Sequence, residues 1–328
     1  MFEAIAITRI CTGRGLFIRD RIAREWLDPV EKRGRGLGSK EKGGTVAKKG
    51  SLKFDEIGYW SEIKIEIVRK YAVAYSVIIA AQSRKGIPLQ HAYIDGFAGA
   101  GEHISKATGA VVPGTPQAVL SVTPLFAEYH FIDLEETKTD HLKSLVGDRR
   151  DVRIYTGDCN DILTNEIFPN VRYEQFKRGL CLLDPYGLHL DWEVIRMAAR
   201  TNAIDIFINF PVADMNRNVF WRNPAGVSSD DVERMNAFWG DDSWRSVAYT
   251  KIRTLFGDDV EKADNRTIAM AFRERLKSVA GFRHVPEPIP MRNSRNVEVY
   301  FLFFASQKEA GENIAKAIFR KYRDYGAH

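Results

Sequence analysis

Four acids and a group of glycines carry the chemistry this sequence offers. The run His91-Ala-Tyr-Ile-Asp95 is apolar, ends in a carboxylate and breaks into glycines at 96, 99 and 101. It reads as a buried strand followed by a turn whose main chain a ligand can approach closely. In α/β chains such junctions are where nucleotide-like cofactors sit. The dinucleotide fingerprint fails in both registers, because Ile104 and Ala98 stand where glycines are required, and no Gly-Lys-Ser/Thr follows to make a P-loop. What remains is Asp95, Phe97, Gly99 and Gly101. A carboxylate at Asp95 accepts strong hydrogen bonds from a charged amine, and Phe97 either lines that loop or fills the core. Asp133 closes the next apolar run, where an acid commonly takes ribose hydroxyls; beside Glu135 and Glu136 it also reads as a solvated loop acid. Asp158 follows a third run and reads equally as an acceptor for an adenine amino group or as a helix N-cap. Asp184 ends a fourth run and opens Asp184-Pro185-Tyr186-Gly187, which by itself is an ordinary turn.

These residues need a scaffold, and the chain spells one. Strands are expected at 91–95, 128–133, 152–155, 179–184 and 203–209, with helices at 136–146, 160–168 and 191–200 between them. Alternation of this kind implies right-handed crossovers and a parallel, doubly wound sheet. Gly101 and Asp133 are 32 residues apart. That exceeds the usual spacing of about 20, and the loop 102–114 accounts for the excess. Thr115-Pro116 opens a helix with Thr as N-cap and Pro first inside. A long amphipathic helix at 56–83 precedes the first strand and packs on the sheet. The polar, aromatic stretch 213–262 interrupts the alternation and reads as an insertion over the C-terminal edge of the sheet. Its Arg217, Arg222 and Arg245, interleaved with Trp221, Trp239 and Trp244, suit either phosphates and stacked bases or a small satellite core. After a helix at 264–280, strands at 282–290 and 296–305 form an antiparallel hairpin. A helix at 308–323 follows.

Composition bounds the function. Of the 328 residues 45% are hydrophobic, enough for a large core. Cys11, Cys159 and Cys181 are widely spaced and suggest neither a disulfide framework nor a metal site. The N-terminus lacks a secretion signal and no stretch suits a bilayer, so a cytoplasmic protein with no membrane partner is expected. The net charge is +5, but residues 1–50 hold 12 Lys and Arg against 6 Asp and Glu, leaving 36 against 37 in the rest. Residues 1–52 read as a poorly ordered basic extension, with a phosphate-gripping arm as the functional alternative. The near-neutral remainder, 53–328, gives no electrostatic argument for nucleic acid.

The glycine motif resembles the first motif of amino-group methyltransferases, which bind S-adenosylmethionine (SAM). Five parallel strands closed by a final hairpin are likewise the layout of SAM-dependent enzymes. On that resemblance Asp95, Phe97, Gly99, Gly101, Asp133 and Asp158 are the cofactor-binding set, with Asp95 near the methionine ammonium. Asp184, Pro185 and Tyr186 are the catalytic set. Asp184 and a neighbouring carbonyl draw the hydrogens of a weakly basic exocyclic amine, and Tyr186 stacks on a base turned out of its helix. The motif lacks the second proline of DPPY and is closer to the DPFG of tRNA guanine dimethyltransferases.

A more extensive likeness covers residues 53–323. KFDEIGYWSEIK (53–64), YIDGFAGAGEHISK (93–106), PGTPQAVL (113–120), CLLDPYGLHLDWE (181–193), NFPVADMNRN (209–218) and MNAFWGDDSWR (235–245) resemble the three-Cys-motif partner protein family, TcmP. Those proteins have a methyltransferase-like fold and are encoded beside a three-Cys-motif protein, whose cysteines are not in this chain. The resemblance implies that partner and leaves the reaction open. The leading expectation is methylation of an exocyclic amine of a DNA or RNA base. The alternatives are a non-catalytic, methyltransferase-like binding subunit of the three-Cys-motif protein, and a methyltransferase of small molecules or proteins. The near-neutral folded part leans toward the binding subunit, and the acid ending the fourth strand leans toward the enzyme.

Overall fold

A computed structural model describes residues 54–323 apart from 107, 255, 256 and 294; the extension expected at 1–52 lies outside the described residues. In chain order the elements are β1 (Glu56–Ile57), α1 (Tyr59–Ser83), β2 (Gln90–Asp95), β3 (Glu102–Ser105), β4 (Val111–Pro113), α2 (Thr115–Leu120), β5 (Glu128–Asp133), α3 (Glu136–Val146), β6 (Val152–Thr156), α4 (Cys159–Ile162), β7 (Lys177–Leu183), α5 (Trp192–Arg200), β8 (Ile204–Phe210), α6 (Val212–Asn218), α7 (Ser229–Trp239), α8 (Trp244–Ala248), β9 (Tyr249–Thr254), β10 (Gly257–Lys262), α9 (Asn265–Ser278), β11 (Ile289–Arg292), β12 (Glu298–Ala305) and α10 (Glu309–Arg323).

Seven strands form the central sheet in the order β11-β12-β8-β7-β2-β5-β6. β6, β5, β2, β7 and β8 are parallel, while β12 runs antiparallel to both β8 and β11. This α/β, doubly wound sheet with its C-terminal antiparallel hairpin is the layout expected from the sequence. Strand periodicity sends alternate residues to opposite faces. Tyr93, Leu180, Leu182 and Phe207 meet α1, α3 and α10 on one side. Ile94, Cys181, Leu183, Ile206 and Ile208 meet α5 and α9 on the other.

The loop expected at 102–114 instead holds β3 and β4, and with β1 they make a separate three-stranded sheet. β1 takes the first residues of the expected long helix, so α1 starts at Tyr59. Gly114, not Thr115, caps α2. The helix expected at 160–168 is one α turn followed by a π turn and a 3₁₀ turn. Of 282–290, only Ile289 onward joins the hairpin; His284 makes a lone bridge to Ser306.

The stretch 213–262 is not a satellite. Met215, Phe220, Met235, Phe238, Trp239 and Trp244 are buried in the same core as α5 and α9. Trp239 and Trp244 are therefore closed to a base. Trp221 is half-exposed, and its Nε1 donates to Arg217 O. Arg245 lies over Trp244, 4.5 Å from the ring centroid.

Candidate active site

The strand order reverses between β2 and β7, and their C-terminal ends hold the expected acids. Asp95 pairs in register with Leu182, and Leu183 with Ile208. One residue on, Asp184 and Asn209 are therefore neighbours, and Asn209 Nδ2 donates to Asp184 Oδ1 at 2.8 Å. By parity, Asp95, Asp184 and Asn209 all lie on the face that α1 covers. The second turn of α1 sends Lys64 into this group. Its Nζ donates to Asp184 Oδ2, and its ammonium lies 5.4 Å from the Tyr300 ring centroid. Lys64 is 7% exposed. Burial pulls its pKa down, but the charge of Asp184 outweighs that and holds it above the ordinary range.

Asp95 is buried to 1% exposure. Oδ1 accepts from Phe97 N at 3.2 Å, while Oδ2 makes no hydrogen bond of ordinary geometry among the described residues, although the buried Tyr93 hydroxyl, itself without one, lies close to this carboxylate. Burial, and the like charge of Asp184, push its pKa up to about 7 against the pull of the Phe97 amide and Lys64. Asn209 Oδ1 and His103 Nδ1 are also buried without a partner. Unmet polar atoms of this kind are costly in a folded protein. Here four of them, with the Tyr93 hydroxyl, belong to residues around one buried cation.

The glycine loop is held from behind. Asp133 accepts from Gly99 N through Oδ2 and from Glu135 N through Oδ1, both at 2.9 Å. Asp133 thus anchors the loop, and its remaining lone pairs are what it has for a ribose. Gly99 and Gly101 both take left-handed backbone, φ 63° and 82°, but for different neighbours. A Cβ at Gly99 would meet only His103 Cε1 at 3.9 Å, whereas at Gly101 it would lie 2.7 Å from Leu142 Cδ1 in α3. Gly101 therefore serves the packing of loop on helix. Gly101→Ala should lower stability by about 1–3 kcal/mol through overpacking and backbone strain, read as a shifted urea midpoint; an unchanged midpoint would refute the packing role.

The other expected residues fall in mixed places. Phe97 packs against the core. Asp158 caps α4, accepting from Asn160 N at 2.7 Å. Pro185 is buried and Tyr186 is 53% exposed. Tyr186 donates to Asp55 Oδ2 at 2.7 Å, and Lys138 lies over its ring at 4.9 Å. Burial, then the Asp55 hydrogen bond, push the phenol upward; the same bond and Lys138 hold Asp55 below its usual range despite burial. Lys64 and Asn209 were missed as site residues. The signal for Lys64 is a charge inside the apolar stripe Trp60, Ile63, Ile67, Tyr71.

A cavity of about 300 Å³ lies at the opposite edge of the sheet, lined by His91, Glu128, His130, Arg153 and Lys177 among others. None of the expected site residues reaches it. Glu128 there is already shared by Lys177 at 3.4 Å, His130 at 3.3 Å and Arg153 at 3.6 Å.

No family model and no curated protein matches this chain. Among solved structures it is similar to protein LPL1258 from Legionella pneumophila, at 10% identity and TM-score 0.45, over 80% of this chain and 92% of that one. It is similar to the DszA carbon methyltransferase at 16% identity and TM-score 0.40, over 75% of this chain and 54% of that one. For the CurJ carbon methyltransferase the values are 14% and 0.37, over 74% and 55%. The chain thus spans about half the length of these two carbon methyltransferases. Likeness at this level carries no inference about cofactor, reaction or acceptor.

Proposed function

We propose that this chain is a SAM-dependent methyltransferase acting on an exocyclic amine of a nucleic-acid base, together with a three-Cys-motif partner as its resemblance to the TcmP family implies. One observation carries the cofactor part. At the reversal of strand order, Asp95 holds a buried carboxylate oxygen without a hydrogen bond, beside a glycine loop where a Cβ at Gly99 would meet only the His103 ring edge. Ligands of open α/β sheets bind at that reversal, and an orphaned carboxylate there fits an amino acid ammonium. SAM bound at this place supplies a methyl group on a sulfonium. The chain's own residues do the rest. Asp95 takes the ammonium, the Gly99 backbone permits close approach, and Asp133 fixes the loop. Asp184 offers a carboxylate one strand away for the hydrogens of an acceptor amine, with Tyr186 at the mouth. That carboxylate is engaged by Lys64 in this structure, so an acceptor must displace or share Lys64.

Calorimetric titration tests the cofactor. SAM and its demethylated product S-adenosylhomocysteine (SAH) should bind saturably below millimolar concentration, and Gly99→Ala should weaken both by placing a methyl group on the ligand side of the loop. Absence of saturable binding by the wild-type chain at millimolar ligand would end the proposal. Transfer of labelled methyl to DNA or RNA, alone or with the three-Cys-motif protein, tests the acceptor. Cofactor binding without transfer to either would leave the non-catalytic subunit.

A further inference from the structure

The Lys64–Asp184 pair is unusual for its setting. Lys64 sits in the middle of the buried face of α1, where Ile63, Ile67, Val68 and Tyr71 are apolar and 6% exposed or less. A buried ion pair is weak evidence for stability, because desolvation offsets the attraction. The cluster is also unbalanced. One lysine stands among Asp184, Asp95 and the amide of Asn209, and Asp95 Oδ2, Asn209 Oδ1, His103 Nδ1 and the Tyr93 hydroxyl are left without hydrogen bonds. A purely structural pair would close its own hydrogen bonds. This one leaves acceptors unused beside an ammonium that has three hydrogens to donate. The group as a whole offers an acceptor for a cation and a donor for an anion side by side at the strand ends. That is the complement of an amino acid zwitterion.

Resting on the cofactor reading above, we propose that Lys64 is the residue that takes the α-carboxylate of the cofactor's amino acid end, while Asp95 takes its α-ammonium. The assignment follows from charge. Asp95, Asp184 and Asp133 are all carboxyl groups that repel a carboxylate, and Lys64 is the cation paired with Asp184 within this cluster. In taking the carboxylate, Lys64 loosens its hold on Asp184 Oδ2, so the acid that receives the acceptor is freed by the arrival of the cofactor.

The test compares two ligands on three proteins. SAH carries both groups of the zwitterion. Its decarboxylated analogue, S-adenosyl-3-thiopropylamine, keeps the adenosine and the amine. Lys64→Met alone would leave the half-buried Asp184 without its cation, beside Asp95. The informative pair is Asp184→Asn, which keeps Lys64 but without its charged partner, against Lys64→Met/Asp184→Asn, which removes both charges; circular dichroism establishes that each is folded before titration. By calorimetry, the wild type and Asp184→Asn should prefer SAH to the analogue by about 10- to 100-fold, the range of one hydrogen bond to a charged group. The double variant should bind the two ligands alike, and binding of the analogue should be the same as in Asp184→Asn. Equal preference for SAH with and without Lys64 overturns the assignment while leaving the cofactor reading intact. Failure of the wild type to bind either ligand overturns both.

Discussion

Asp184→Asn should slow methyl transfer by about 10² to 10⁴, the contribution of one positioned group that handles the acceptor's protons. The variant keeps the size of the side chain and its contact with Asn209, and it leaves Asp95, Gly99 and Asp133 untouched. SAH should therefore still bind. Stability should fall as well, because Lys64 loses its charged partner in a buried place. Turnover must accordingly be measured well below the melting temperature of the variant, and kcat read beside that temperature. A fall in kcat with SAH binding retained assigns the carboxylate to the chemical step. Turnover at the wild-type level in a destabilised variant would make Asp184 a partner for Lys64 and nothing more.

Asp95→Asn should stabilise the protein at pH 8 and weaken its hold on the cofactor. In the native state Asp95 keeps its proton up to about pH 7, whereas its ordinary value is 3.8. Between those values the folded chain binds more protons than the unfolded one, so stability falls as pH rises, and above pH 7 the whole penalty is present. Asparagine carries no such charge. The gain should be absent at pH 4, grow between pH 4 and pH 7, and level off on the order of 4 kcal/mol at most. Urea midpoints of the two proteins across that range measure it. A variant no more stable than the wild type at pH 8 would show that Lys64 already compensates Asp95. Weaker SAH binding by the more stable variant would mark Asp95 as an acid kept for its ligand, the usual trade between stability and function.

Much of this architecture is readable along the chain. The runs ending in Asp95, Asp133 and Asp184 are continuous apolar segments of a sheet buried on both faces, and each ends in a carboxylate followed by turn residues. Local composition fixes such elements, and their alternation with helices fixes the doubly wound order. Helix α3 lies where its sequence places it, at Glu136–Val146. The short strands β1, β3 and β4 were not readable. β1 pairs with β3 across about fifty residues, Glu56 with Ile104 and Ile57 with Ser105, and no local pattern records a long-range register; β3 and β4 form a local hairpin with Ile104 opposite Val111, but at four and three residues they are too short to show a period. The stretch 213–262 misleads for a related reason. Its tryptophans sit among polar residues, as they would in a binding surface, and only the way α7 folds back against α5 and α9 shows that Trp239 and Trp244 complete the main core.

The sequence by itself determined which acids stand at strand ends and which glycines follow the first of them. Periodicity and turn chemistry act within a few residues, and these features are local. Tertiary structure decided what those acids face. Asp184 meets Lys64 across 120 positions of sequence, and Asn209 joins them because β7 and β8 run side by side in one register. Whether a buried carboxylate is free, paired or saturated depends on groups brought from other elements, and on the low dielectric that makes each of them count. Asp133 and Asp95 read alike along the chain. Folding gives each oxygen of the first a backbone amide and leaves one oxygen of the second without a hydrogen bond.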